Sequence, residues 1–336
     1  MSLSNFIKLV SNELIKTYIR KSTWIMYIIL AGLIIGFGML TEVFNDMDEA
    51  YYSEDNWREL MEEENQRLME EYEAFQEELR QEGENLEFYY GPEIEKIEQN
   101  NLYLEHDIQP SKYGASQFVV DNAGLLSVVS LLTIIVAAGM IAHEYRWGTI
   151  KLLLVRPISR TTILASKYVA VLLFALITLL FVLFTSWIVG LILFGFDGIN
   201  PHMLIYHYTP EMTEANYKLV PVYTELVSSY GYNLVNLVMM TTFAFMISAI
   251  FRNSSLAIGL AIFLMMSGNT IVSIFYDKPF AKYILFANTD LKQYADGTVW
   301  IEGMTLGFSI TMLVIYYVVF LILSWVFFVK RDVAGH

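Results

Sequence analysis

The sequence predicts an all-α protein that crosses a membrane six times. Of its 336 residues, 55% are hydrophobic and 17% are charged, a balance outside the range of ordinary soluble domains. Six apolar runs are close to the roughly 20 residues that a helix needs to span the hydrocarbon core of a bilayer. Cysteine is absent, which excludes disulfides and thiolate metal sites. The predicted spans are 23–40, 123–142, 168–194, 234–250, 256–275 and 305–329.

Residues 1–22 are predicted to form an amphipathic helix that lies in the cytoplasmic interface of the membrane. Apolar residues recur there every three or four positions, as on one face of a helix. One interpretation is an ordinary anchor beside the first transmembrane helix, which we place at 23–43. The other is a lever that couples a cytoplasmic partner to the spans. The apolar stripe consists of Leu3, Phe6, Ile7, Val10, Leu14 and Tyr18.

Basic residues set the predicted orientation, because short loops rich in Lys and Arg stay in the cytoplasm. Four basic segments fall on one side of a six-span protein: the N-terminal stretch, the loops after spans two and four, and the tail. Both termini are therefore predicted to be cytoplasmic, in a multi-pass protein of the cell membrane. The basic residues outside the loop after span two are Lys8, Lys16, Arg20, Lys21, Arg252, Lys330 and Arg331.

An acidic insertion, 44–117, separates the first two spans and is predicted to be extracellular. Of the chain's 35 acidic and 21 basic residues, 22 and 5 lie between Asp46 and Lys112, which leaves 13 and 16 for the rest. Two helical apolar stripes, the second after Gly91-Pro92, predict an antiparallel helical hairpin. It is interpreted either as a solvated stalk or as a domain that contacts a cationic or amphipathic substrate, or a second copy.

The remainder, 118–336, is predicted to contain transmembrane helices two to six, with a cytoplasmic loop at 143–167. From Glu144 to Lys167 this loop has five basic residues and one acid. It has a pattern that a plain basic anchor does not need: a Gly-Thr turn, an apolar run, and a Pro-Ile-Ser-Arg end. The patterned residues include Glu144, Arg146, Gly148, Thr149, Leu152, Leu153, Pro157 and Arg160.

Catalysis within this chain is not expected. There is no Gly-x-x-x-x-Gly-Lys-Ser/Thr phosphate loop and no Gly-Lys dipeptide, so the chain is not expected to bind ATP itself. Trp147 occupies the position where a zinc-protease helix after His143-Glu144 would need its second histidine. No catalytic residues, no metal site and no nucleic-acid-binding face are predicted.

The predicted span interiors contain almost no ionisable residues, which argues against ion-coupled transport. Their polar and methionine residues favour two interpretations. Helix–helix hydrogen bonding and close packing is one. The other is the adaptable wall of a translocation path. The candidate path residues are Asn236, Met239, Met240, Ser267 and Asn269.

With this loop and six spans in this order, the chain resembles the permease subunits of type 2 ABC exporters. The resemblance is carried by Glu144, Gly148, Thr149, the 152–154 leucine run and the Pro-Ile-Ser-Arg sequence at 157–160, followed directly by span three. It covers nearly the whole chain apart from the acidic insertion. Many members of that family have a short loop there, and the insertion resembles subgroups linked to export of antimicrobial or amphipathic peptides.

The resemblance implies that 143–167 contains a coupling helix that contacts separate ABC ATPase subunits, which bind ATP and Mg. It also implies a second permease chain, identical or homologous, and export of an amphipathic substrate such as an antimicrobial peptide, a drug or a lipid-like molecule. Glu144 and Arg146 would pair with charges on the ATPase, and 152–154 would fill an apolar groove. The alternative hypothesis is a membrane sensor or scaffold whose extracellular domain detects a peptide without transport.

Overall fold

The computed structural model describes residues 2–45, 56–82, 91–110, 112–150, 157–198, 201–206, 217–251, 253–299 and 301–330. Its helices in chain order are α1 (Leu3–Tyr18), α2 (Lys21–Asn45), α3 (Trp57–Glu82), α4 (Pro92–Glu105), α5 (Ala115–Asp121), α6 (Leu126–Arg146), α7 (Arg160–Leu193), α8 (Val222–Ile250), α9 (Ser254–Ile274), α10 (Leu285–Asn288), α11 (Gln293–Asp296) and α12 (Leu306–Val329). Two 3₁₀ turns, Asn122–Leu125 and Ala281–Tyr283, and two strands, β1 (His202–Tyr206) and β2 (Tyr217–Pro221), complete the described elements.

Six helical segments are long and apolar enough to cross a membrane, as the sequence predicts. Three of them begin well before the predicted first residue, and of these the third span, α7, begins at Arg160 rather than at 168. The second includes α5 and a 3₁₀ turn before α6, so that it covers 115–146. The fourth, α8, begins at Val222 rather than at 234. Its first three turns contain polar residues such as Glu225 and Asn233. A prediction based on hydropathy therefore begins the span only after these turns.

Helices α6 and α8 form the centre of the bundle. In the most apolar stretch of each span, 72% of the residues are buried for α6 with its leading turns and 67% for α8. The corresponding share is 22% for both α9 and α12. Alanines allow the close approach, since Ala137 and Ala244 are fully buried in one shared apolar cluster. The Ser248 Oγ on α8 accepts hydrogen bonds from the backbone N–H groups of Ile141 and Ala142, at 3.0 and 3.1 Å. Small residues and hydroxyls at a helix interface are typical of membrane proteins, where apolar burial alone does not drive association.

One end of the bundle, the α1 end, carries α1, the end of α6 and the start of α7. The opposite end, the β-hairpin end, carries a two-stranded antiparallel sheet in a segment that we predicted as a loop. Strands β1 and β2 pair with His202 opposite Pro221, and the rings of Tyr206 and Tyr217 meet at 5.5 Å. The prediction missed this hairpin because each strand is only five residues long and the sequence between the strands contains no Asn-Gly signal.

Helices α3 and α4 of the acidic insertion pack against each other in opposite directions. Asn100 donates hydrogen bonds to Glu64 and Asn65, both at 2.8 Å. Farther along the pair, Arg58 Nε donates to Asp107 at 2.7 Å. The hydroxyl of Tyr217 on β2 donates to Glu95 of α4 and joins this pair to the sheet. Residues 46–55 and 83–90 of the insertion lie outside the described residues.

Candidate functional site

The predicted coupling segment begins with a sharp turn at the end of α6. The backbone N–H of Trp147 closes the helix on His143 O at 2.9 Å, and Gly148 follows with φ of +70°. This left-handed conformation costs little for glycine and more for residues with a Cβ, which gives a physical reason for the Gly at this point. Arg146, Trp147 and Gly148 are exposed. The Gly-Thr feature of the sequence is therefore the sharp turn that ends the second span.

The other end of the segment is fixed by capping. The Ser159 Oγ accepts a hydrogen bond from the Thr162 N–H at 3.2 Å, so Ser159 is the N-cap of α7. Pro157, just before it, is exposed. Leu152 and Leu153, predicted to fill a groove on a partner, lie outside the described residues together with the rest of 151–156.

Glu144 lies in a buried ionic cluster, which we call the Lys167 node. The side chain of Lys167 is 1% exposed, and its Nζ donates to Glu13 at 2.7 Å and to Glu144 at 2.9 Å. The Lys16 Nζ lies at the exposed edge of the node, 2.7 Å from the Glu13 carboxylate and 3.8 Å from the Glu144 carboxylate. The Lys16 side chain is 43% exposed. Thr149 donates to the second oxygen of Glu144. Two ammonium groups thus balance two carboxylates in a place where an unpaired charge would be costly.

The node corrects one part of the sequence interpretation. We expected the Glu144 carboxylate to pair with charges on an ATPase, but it is buried and bonded to Lys167 and Thr149 of the same chain. The physical reason is that the last turn of α6 is still packed against α1 and α7, so this side chain has an internal cation within reach. Arg146, two residues later and exposed, retains the predicted outward position.

The node ties three elements together, since Glu13 belongs to α1, Glu144 to the end of α6 and Lys167 to the second turn of α7. Our sequence interpretation missed both partners. A signal was present for Glu13, which stands three residues after Val10 of the apolar stripe and so shares its face. Lys167 was counted only as one more basic residue of the loop, and its pairing depends on how three separate elements pack.

A second contact joins the bend between α1 and α2 to the turn after α6. The Arg20 guanidinium lies over the ring of Trp147, 5.3 Å from its centre, and its Nη1 is 3.3 Å from His143 Nδ1. The rings of His143 and Trp147 stack at 5.0 Å. Burial lowers the pKa of Arg20, while the nearby Glu144 and Glu13 oppose this shift. The contact of the Arg20 cation with the indole ring stabilises the bend between α1 and α2 against the turn after α6. The two nearby carboxylates add to this stabilisation.

Arg160, also predicted to meet the ATPase, contacts the last spanning helix. Its Nη1 donates to the Val329 carbonyl at 3.0 Å, which satisfies a free carbonyl at the end of α12 and places a positive charge at that helix C-terminus. Close by, Trp325 Nε1 donates to Thr161 Oγ1 at 3.1 Å. This arginine therefore anchors the beginning of α7 to α12.

At the β-hairpin end, two of the predicted path residues line one polar cavity of about 610 Å³. Asn236 of α8 and Asn269 of α9 both contribute to its wall. The wall also includes Glu225, which is 6% exposed, and Lys292, whose Nζ lies 2.8 Å from it. Our sequence interpretation missed this pair, because Glu225 precedes the predicted span and Lys292 lies in a loop.

The other three candidate path residues are elsewhere. Met239 lines a separate apolar groove of about 600 Å³ between α8 and α12, together with residues such as Leu313 and Tyr317. Met240 is buried in the core cluster. Ser267 is partly buried on α9 and lines neither of these two spaces. The predicted path is thus divided between a polar cavity, an apolar groove and the core.

Residues 94–334 match the family model DUF2705, described as a protein of unknown function. The chain belongs to the DUF2705 family. The match begins within α4 and continues through α12, so it includes Glu144 and Lys167 of the node but not Glu13.

Two proteins of Bacillus subtilis (strain 168) are similar to this chain. Uncharacterized protein YhcI is 40% identical over 335 residues, which is 98% of this chain and all of YhcI. Uncharacterized membrane protein YdbK is 32% identical over 209 residues, 61% of this chain and 78% of YdbK. Together with the six apolar helices, this likeness places the chain among multi-pass membrane proteins.

Proposed function

We propose that this chain is the transmembrane permease subunit of an ATP-driven exporter that is powered by separate ATPase subunits. The observation that supports this most is the Lys167 node. It lies directly behind the exposed turn at Arg146–Gly148 and joins that turn to α1 and α7. A loop that only anchored a protein in the membrane would not need such a joint.

The node gives the proposal a physical form. A partner that pressed on the turn after α6 would meet a segment held by charged hydrogen bonds at Glu144, by the Arg20–Trp147 contact and by the Ser159 cap. Displacement of the turn would therefore move α1 and α7 with it, since separating buried charges costs several kcal/mol. Arg160 would extend the movement to α12 through its bond to Val329.

The N-terminal helix fits the interfacial position in this proposal. Its inward face carries Val10, Glu13 and Thr17, whereas Leu3, Ile7 and Ile15 are more than half exposed. Exposed apolar side chains on a helix beside the first span are suited to the membrane boundary. With the basic loops on the same side, both termini and the coupling segment are assigned to the cytoplasm, and the α3–α4 pair to the outside.

The two spaces near the β-hairpin end support an amphipathic cargo such as a peptide, a drug or a lipid-like molecule. The polar cavity and the apolar groove share Tyr232 in their walls, so they lie next to each other along α8. A molecule with a polar part and an apolar part would find a matching surface for each. In the proposal, a second permease chain completes the path, and the ATPase supplies the sites for ATP and Mg.

The proposal is tested by co-expressing the full chain with a candidate ABC ATPase subunit from the same genome, purifying the complex and measuring ATP hydrolysis in proteoliposomes. We expect hydrolysis to depend on the permease and to rise with amphipathic peptides. Arg146→Glu and Gly148→Pro should remove the permease-dependent part, whereas Lys218→Glu, an exposed change on β2 at the β-hairpin end, should not.

Absence of any ATPase partner, or normal coupled hydrolysis in both turn variants, would count against the proposal. The sensor alternative makes a different forecast: deletion of the chain would leave peptide efflux unchanged but alter a signalling response to peptide. Measuring efflux in the deletion strain separates the two hypotheses.

A further inference from the structure

Helix α8 presents two stripes of different character between Glu225 and Met239. Residues three or four positions apart lie on one face of a helix. The α8 residues that line the polar cavity follow this spacing, and so do those that line the apolar groove. Tyr232 belongs to both walls and marks the boundary between them. The cavity stripe consists of Glu225, Ser229, Tyr232, Asn233 and Asn236, and the groove stripe of Val227, Ser228, Gly231, Tyr232, Val235 and Met239.

The polar cavity has an excess of negative charge. Among the described residues that line it, four are acidic and one, Lys292, is basic. This lysine already has partners, since its Nζ lies 2.8 Å from Glu225 and 3.8 Å from Asp296. The other two acids, Asp121 and Asp290, are exposed and form no ion pair with the part of the chain that the structure describes. The cavity therefore favours a positively charged ligand.

An amide in the cavity wall points to the same chemistry. The Oδ1 atom of Asn236 is buried and accepts no hydrogen bond from the described residues. A buried acceptor left unsatisfied costs about 1–3 kcal/mol, and an N–H donor on a ligand would remove that cost. A primary ammonium group supplies N–H donors and a positive charge together, so one group would match both the amide and the carboxylates.

The apolar groove is suited to the rest of such a ligand. None of the described residues that line it is charged. Val227 of α8 and Ile310 and Val314 of α12 are exposed along it, so an apolar chain in the bilayer has access to the groove from the side. The cavity and the groove measure about 610 and 600 Å³. Both volumes fall within the range of roughly 300–1,000 Å³ that is typical of small-molecule sites.

We infer that the polar cavity and the apolar groove form one site for a cationic amphiphile, a lipophilic primary amine in its ammonium form. The ammonium group lies in the cavity beside the carboxylates and Asn236, and the apolar chain passes Tyr232 into the groove. An anionic amphiphile such as an acidic phospholipid would fit the groove but would bring a negative charge to an acidic cavity. That this ligand is the cargo rests on the proposed function, whereas its binding does not.

Ligand selectivity tests the inference directly. The full chain would be reconstituted in phosphatidylcholine nanodiscs without an ATPase. Binding of radiolabelled decylammonium and decanoate, which have equal chain lengths and opposite charges, would be measured by equilibrium dialysis, with empty nanodiscs as the background. We expect the protein-dependent affinity to be at least about tenfold higher for decylammonium, because several charge contacts of up to about 1 kcal/mol each reverse their sign between the probes.

Carboxylate variants locate the charged group. The double variant Asp121→Asn with Asp290→Asn preserves the size of two exposed side chains and should lower the affinity for decylammonium about fivefold. The matched control is Asp277→Asn, an exposed position at the same end of the bundle that does not line the cavity. It should leave the affinity unchanged, and an equal loss in the control would contradict the placement of the ammonium group.

The Asn236 amide is tested with two ammonium probes. Asn236→Leu should lower the affinity for decylammonium about fivefold, because it removes the acceptor of one hydrogen bond. It should not weaken decyltrimethylammonium, which carries the same charge but has no N–H to donate. A merely structural role of Asn236 would change the binding of both probes alike, and that result would contradict the assigned contact.

A pair of glycine variants tests the groove. Gly231 lines the groove and Gly32 lies on α2, and an added Cβ at either position would meet nothing within 4 Å. Gly231→Leu places a side chain in the space assigned to the apolar chain and should lower the affinity for decylammonium about tenfold, whereas Gly32→Leu should leave it unchanged. Equal effects of the two variants would show that the chain does not occupy the groove.

The inference as a whole is overturned if decanoate binds as tightly as decylammonium. Tighter binding of decanoate would overturn it as well and would show that the site holds an anionic lipid. These outcomes are separate from the fate of the proposed function. Selective binding of decylammonium by a chain with no ATPase partner would support the site and count against the permease proposal. Coupled ATP hydrolysis without selective binding would refute the site alone.

Discussion

The two ends of the bundle hold their charged residues in different ways. At the α1 end, Lys167 is 1% exposed and both of its carboxylate partners are buried. At the β-hairpin end, Glu225 is equally buried, but its partner Lys292 is 33% exposed in the wall of an open cavity. The first arrangement excludes water and fixes three helical elements. The second leaves room for water or a ligand beside a similar pair. In the proposal, the first end transmits movement from the ATPase and the second contacts the cargo.

This contrast predicts its largest effect at Lys167. Lys167→Met leaves Glu13 and Glu144 without their central cation and should destabilise the full chain by about 3–5 kcal/mol. Lys16→Met, at a side chain that is 43% exposed, should cost less than about 1 kcal/mol. Both are measured by denaturant unfolding of the purified protein in micelles. Equal losses for the two lysines would mean that the node is not a buried joint.

A smaller effect is expected at the turn beside the node. Gly148→Val places a β-branched residue at φ of +70° and should cost roughly 1–2 kcal/mol. Gly148→Asn should be better tolerated, because Asn adopts the left-handed conformation more easily. The matched control is Gly32→Ala, at a helical position with open space around it, which should be neutral or slightly stabilising. If Val and Asn are tolerated equally in the same unfolding assay, the turn is not under this constraint.

The smallest effect is expected at the open end. Lys292→Met removes the cation beside Glu225, but Ser229 still donates to that carboxylate at 2.7 Å and the cavity can admit water. The loss of stability should be about 1–2 kcal/mol, well below that of Lys167→Met. A loss as large as that of Lys167→Met would show that the two ends do not differ in the way described.

Hydropathy alone predicted the six spans, because about 20 consecutive apolar residues have few alternatives to crossing a membrane. It did not predict the polar first turns of α8 or the short β hairpin, whose stability depends on tertiary contacts such as that between Tyr217 and Glu95. In the candidate site, too, the sequence predicted the local features and missed those that depend on tertiary packing. The turn at Gly148 and the cap at Ser159 follow from local sequence, and both were part of the recognised pattern.

The Lys167 node was not predicted, since it joins residues 13, 144 and 167, which only packing brings together. For the same reason Glu144 was assigned an outward role that its burial contradicts. Asn236 and Asn269 were selected for their polarity, and both line the polar cavity. Met239 and Met240 were selected for the adaptability of methionine, and they lie in an apolar groove and in the core.

The central claim is that the exposed turn after α6 is where an ATPase transmits force to the membrane body. The most direct measurement is site-specific cross-linking in the full complex, from Arg146→Cys and Pro157→Cys to the co-expressed ATPase, with Asp277→Cys at the β-hairpin end as the control. All three positions are exposed. The account predicts cross-links from Arg146→Cys and Pro157→Cys that require the ATPase, and none from Asp277→Cys. Failure of both turn positions to react in a complex that still assembles, or equal reaction at Asp277→Cys, would contradict it.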